Sequence, residues 1–168
     1  MDMTATLGAP LLLTRRLGVR HDDVRHDELT PEAAHGTLHL LLTAEERTRL
    51  RGLRQSSCGR DLLLQLPRGE ALVPGEWLAA AEDGPLVWVE AAMEPLLVVR
   101  AADPLDLLRA AYHLGNRHVA LEVRADALRL LEDPVLADLL QQRGLGVERC
   151  VEAFLPEGGA YAGAHAHP

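Results

Sequence analysis

The stretch "DPLDLLRAAYHLG", Asp103 to Gly115, and its counterpart "DPVLADLLQQRG", Asp133 to Gly144, decide the fold of the second half of the chain. Each opens with an Asp suited to a helix N-cap, where its carboxylate accepts from a free amide, and a Pro at the first helical position, where no N–H is needed. Each closes on a glycine, Gly115 or Gly144, as a left-handed cap requires. Both are read as helices. Working outward, "EPLLVVRAA" (Glu94 to Ala102) is a continuous apolar run that fits a strand buried on both faces. "HVALEV" (His118 to Val123) and "ALRLLE" (Ala127 to Glu132) read as strands joined by a turn at Arg124 to Asp126, and "LGVERCVEAFLP" (Leu145 to Pro156) as a last strand. The order β-α-β-β-α-β is that of a ferredoxin-like fold.

The first half is built from shorter pieces. "GTLHLLLT" (Gly36 to Thr43), "RDLLLQLPRG" (Arg60 to Gly69), "LVPGEWLAA" (Leu72 to Ala80) and "PLVWVEAA" (Pro85 to Ala92) are brief apolar runs punctuated by Gly, Pro and Asp-Gly. They suggest a small β-sandwich or barrel. "TAEERTRLRGLR" fits a helix capped by Thr43 with Glu46 three residues on, or a charged edge strand. The expected organisation is α+β. A β-rich N-terminal domain covers 1–91, a ferredoxin-like domain 92–156 and a flexible tail 157–168, with the division near Ala91 to Glu94.

Composition removes whole classes of function. The 168 residues carry a net charge of −8, which repels a phosphate backbone, so no nucleic-acid partner is expected. No apolar run approaches a membrane span, and the "APLLL" stretch is followed by Arg15 and Arg16, the wrong order for a secretion signal; the chain is expected in the cytoplasm. Cys58 and Cys150 are far apart and form no Cys-x-x-Cys pair, so both read as lone thiols. No phosphate-cradling loop, Gly-x-Ser-x-Gly elbow or His-Glu-x-x-His motif is present, and no enzymatic activity is expected.

What remains is imidazole. His113 falls in the last turn of the first helix, where a partly protonated ring suits the negative end of the dipole. His118 is expected at the start of a strand, at the rim of a sheet, where it can bind a metal. A transition ion takes about four to six ligands, so one ring is not a site. The ending "EGGAYAGAHAHP" adds His165 and His167 on an arm rich in Gly and Ala. His21, His26, His35 and His39 show no regular spacing and read as surface residues.

"VRAADPLDLLRAAYHLGNRHVALEV", the "DPVLADLL" helix and the ending "EAFLPEGGAYAGAHAHP" resemble the UreE family of urease accessory proteins, and "LLLQLPRGEALVPGEWL" fits that family's N-terminal domain. The resemblance implies a nickel metallochaperone that delivers Ni2+ to urease during assembly of its active site. It implies a homodimer in which His118 meets its symmetry mate and one nickel is shared by two chains. His165, His167 and His113 are the further candidate ligands, with Zn2+ or Cu2+ able to compete in vitro. It also implies a urease-associated GTPase and the urease apoprotein complex as partners. The chain departs from many relatives in lacking a long histidine-rich tail, which favours delivery over storage, and Glu132, Asp133 and Pro134 stand where some relatives carry a His-x-His pair. The alternative from another class is a metal- or ligand-sensing ferredoxin-like regulator without chaperone activity.

Overall fold

The computed structural model describes residues 9–19, 36–80 and 84–158. The chain divides into two compact units, Met1–Glu90 and Ala91–Pro168. Strands β1 (Leu11–Val19), β2 (Leu38–Leu42), β3 (Arg51–Gln55), β4 (Asp61–Gln65), β5 (Glu76–Ala80) and β6 (Val87–Ala91) form one sheet in the order β2-β6-β5-β1-β4-β3. A short helix, α1 (Ala44–Thr48), lies between β2 and β3. The sheet curls into a nearly closed barrel: the Ser57 N–H, just past β3, donates to the His39 carbonyl on β2 at the other end of the strand order (2.8 Å). Strand side chains alternate between faces, and the inward set is almost all leucine. Leu13, Leu40, Leu42, Leu62, Leu64 and Leu78 pack with Val87 and Val89, each at or near zero exposure. Burial of this kind contributes roughly 1.5–3 kcal/mol per side chain.

Two features of this unit qualify the sequence reading. The segment "TAEERTRLRGLR" holds both of its alternatives in succession. Thr43 caps α1 in a full capping box, its Oγ1 accepting from the Glu46 N–H (3.2 Å) while the Glu46 carboxylate accepts from the Thr43 N–H (3.0 Å), and the chain then turns into edge strand β3. Strand β1 was not expected. Its pairing with β5 slips between Leu13 and Arg15 and again between Arg16 and Gly18, and a strand that skips residues loses the period-two signal.

The second unit contains β7 (Met93–Arg100), helix α2 (Pro104–Gly115), β8 (Glu122–Val123), β9 (Leu128–Leu131), helix α3 (Pro134–Gln142) and β10 (Gly146–Ala153). The sheet order is β10-β7-β9-β8 with every neighbouring pair antiparallel. Leu97 and Val99 of β7, Leu128 and Leu130 of β9, Ala110 and Leu114 of α2 and Ala137 and Leu140 of α3 form its core. The Asp-Pro openings work as read: the Asp103 carboxylate accepts from the Leu105 N–H and that of Asp133 from the Leu136 N–H, both at 2.9 Å.

Two sequence expectations fail here. "HVALEV" is not a strand from His118; only Glu122 and Val123 pair, and His118 lies in the preceding turn. The left-handed cap of α2 is not Gly115, which remains helical, but His118, at φ 58°.

One buried polar cluster sits among these strands. Arg129 on β9 is 2% exposed and reaches Glu122 (2.9 Å) and Glu152 (2.8 Å). Burial pushes the Glu122 carboxyl pKa up, but the Leu155 N–H and the Arg124 and Arg129 guanidiniums outweigh it and hold it below the usual carboxylate range. Charged donors of this kind favour the ionised form.

Candidate metal centre

Helix α2 does not stop cleanly at Gly115. The His118 N–H donates to the Gly115 carbonyl (2.9 Å) and the Val119 N–H to the Leu114 carbonyl (3.2 Å). These paired bonds define a Schellman cap whose left-handed position is His118, with Leu114 and Val119 packed into the same core. Helix α3 ends in the same way. There the Gly144 N–H donates to Gln141 (2.9 Å), the Leu145 N–H donates to Leu140 (3.2 Å), and Gly144 has φ 79°.

The contrast between the two caps is informative. A left-handed backbone is free for glycine and costs an L-residue about 1 kcal/mol or more. His118 is the one non-glycine residue with positive φ among the described residues. Its own side chain is exposed, so it adds no core packing of its own. The cap bonds fix the His118 backbone at the end of α2 and leave its side chain exposed.

The other candidates are distributed as follows. His113 is half-buried in the last turn of α2, its ring edge-on to Tyr112 with centroids 5.6 Å apart. His165 and His167 lie outside the described residues, as do the rest of the tail expected to be flexible beyond Gly158 and His21, His26 and His35. His39 Nδ1 lies 2.9 Å from a Glu90 carboxylate oxygen across β2 and β6. Cys58 is exposed, and a hydrogen bond with Ser56 lowers its thiol pKa. Among the described residues no three His, Cys, Asp or Glu side chains converge as a metal group. His118 has no pair of His, Cys, Asp or Glu side chains beside it that would form such a group among the described residues.

The sequence reading missed Glu122 and Arg129, whose pairing reaches the chain beyond β10 through the Leu155 N–H (3.0 Å). A charged residue inside the otherwise apolar run "HVALEV" was the available signal.

Two family models account for nearly the whole described chain. The UreE urease accessory protein N-terminal domain matches residues 13–92 and the C-terminal domain of the same family matches 94–168. The chain belongs to the UreE urease accessory protein family. Relatives named urease accessory protein UreE agree with this. One from Synechococcus sp. (strain CC9311) is 55% identical over 141 residues, covering 84% of this chain and 90% of the relative. One from Parasynechococcus marenigrum (strain WH8102) is 52% identical over 159 residues, 95% and 97% of the two chains. A third, from Thermosynechococcus vestitus (strain NIES-2133 / IAM M-273 / BP-1), is 53% identical over 138 residues, 82% and 94%. These UreE relatives are accessory proteins for urease rather than urease itself, and the regulator alternative finds no support among them. No helix among the described residues is long and apolar enough to cross a membrane.

Proposed function

We propose that this UreE is a cytoplasmic, non-catalytic nickel metallochaperone that delivers Ni2+ to urease during maturation. The observation that carries the reading is His118. The chain keeps an exposed imidazole in a left-handed cap where its other long helix uses glycine, and strain at an exposed position points to function. The strand order β10-β7-β9-β8 supports a ferredoxin-like metal-binding domain over 92–156, after a β-rich N-terminal domain over 1–91 and ahead of a tail over 157–168.

In this reading two protomers associate about a two-fold axis that brings His118 against its mate, as a self-complementary interface allows. Two imidazoles make half a coordination sphere, and His165 and His167 complete it, with His113 as a further donor. Imidazole also suits zinc and copper, so nickel is not selected by ligand type alone. Detaching the tail histidines opens the sphere and lets the ion pass on, to the urease apoprotein complex with its associated GTPase. The test is activation of nickel-free urease, in the presence of its other accessory proteins, by the nickel-loaded chain. Wild type should raise urease activity several-fold over an equal amount of free nickel held by a weak chelator. His118→Ala should give no more than the chelated metal, and full activation by that variant would overturn the proposal.

A further inference from the structure

We infer that the open cavity between α2 and the turn from α3 into β10 is a binding site for a carboxylate carried on a short alkyl chain. The cavity, about 220 Å³, is lined by Asp106, Arg109 and Ala110 of α2 and by Arg143 and Leu145. Ala110 and Leu145 belong to the buried core of this unit and give the cavity an apolar floor, whereas both arginines are exposed. The backbone fixes where Arg143 starts. Its N–H donates to the Leu140 carbonyl (3.1 Å), which also accepts the Leu145 N–H (3.2 Å), so one acceptor at the end of α3 holds both residues.

Charge and size define what fits. Arg100, Arg109, Arg124, Arg129 and Arg149 of this unit each pair with a carboxylate, whereas Arg143 has no such partner among the described residues. Asp106 holds Arg109 Nη1 at 2.9 Å, so the cavity carries two guanidiniums and one carboxylate, an excess of positive charge in a chain whose net charge is −8. A guanidinium takes a carboxylate through two parallel hydrogen bonds, which selects shape as well as charge. The volume is that of about seven waters at ~30 Å³ each. It falls below the ~300 Å³ at which pockets begin to take drug-sized ligands, so the occupant has few heavy atoms. A compact inorganic anion would leave the Ala110 and Leu145 surface in contact with water; an alkyl carboxylate covers it. Two sources present such a group: a small free carboxylic acid, or an acidic side chain of another protein.

The test is a titration of the full chain followed by the backbone amide NMR signals of Ala110 and Leu145. Butyrate serves as the free acid, glutamate blocked at both its amino and α-carboxyl groups as the protein side chain, and inorganic phosphate as the compact anion. Butyrate should shift both signals saturably, with a Kd on the order of 1–10 mM. Arg143→Gln should weaken binding about ten-fold, as loss of a charged hydrogen-bond partner does. Asp106→Asn should strengthen it several-fold, because it frees Arg109 and removes the opposing charge, a gain that a merely structural Asp106–Arg109 pair would not give. Neither residue belongs to the core of the unit, so both variants should fold. Blocked glutamate binding as tightly as butyrate assigns the site to a side chain of a partner protein, and binding of butyrate alone assigns it to a free acid. The proposal is overturned by phosphate shifting the same signals as strongly as butyrate, by the absence of a saturable shift with either carboxylate, by unchanged affinity in Arg143→Gln, or by no gain in Asp106→Asn.

Discussion

Replacing His118 by Ala or by Gly is expected to abolish the tightest nickel site in both cases, with the Gly variant the more stable of the two. Neither variant has an imidazole, so nickel affinity should fall on the order of 100-fold or more, beyond the 10- to 100-fold usual for a residue that merely supports a ligand. The backbone distinguishes them. Ala at φ 58° keeps the left-handed strain and Gly relieves it, as Gly144 does at the end of α3. The Gly variant should be more stable than the Ala variant by about 1 kcal/mol in urea unfolding. Calorimetric titration checks the first half. Retained tight binding in either variant would remove His118 from the site, and equal stability of the two would show that the left-handed backbone at His118 carries no strain.

The second large effect lies in the buried cluster. Arg129→Met should destabilise the protein by about 1.5–3 kcal/mol, because it removes a charged hydrogen-bond partner from the Glu122 carboxylate, which keeps Arg124 and the Leu155 N–H. The pH dependence follows from the lowered Glu122 pKa. A carboxyl whose folded pKa lies below its unfolded value, about 4.3, contributes stability that is present above that pH and lost as pH falls through the folded pKa. Wild type should therefore lose this contribution below about pH 4, and the gap to Arg129→Met should narrow there. Chemical unfolding across that range is the measurement, and a loss below about 1 kcal/mol at neutral pH would show that the cluster is dispensable.

Most of the second unit was legible because its signals are local. The Asp-Pro openings at Asp103 and Asp133 specify helix starts in two residues, and the capping box at Thr43 and Glu46 does the same for α1. The end of α2 was misread for an equally local reason. Gly115 offers the residue type a left-handed cap prefers, but the turn continues for three residues and the left-handed slot falls on His118. Glycine permits that conformation without demanding it. Strand β1 was illegible because its two register slips break the alternation, and its parallel pairing with β4 depends on residues some fifty positions away. His118 stands out from sequence as a candidate, whereas the buried polar cluster of the same unit does not. The contact between Glu122 and the Leu155 amide joins residues 33 apart through a backbone group that carries no sequence signature.

In the proposed site two chains share one nickel through His118. Native mass spectrometry of the full chain, titrated with nickel from below to above one equivalent per protomer, tests it most directly. The first species to fill should hold two chains and one nickel, and His118→Ala should remove that species. Monomers that each take up their own nickel before any two-chain species binds metal would contradict it.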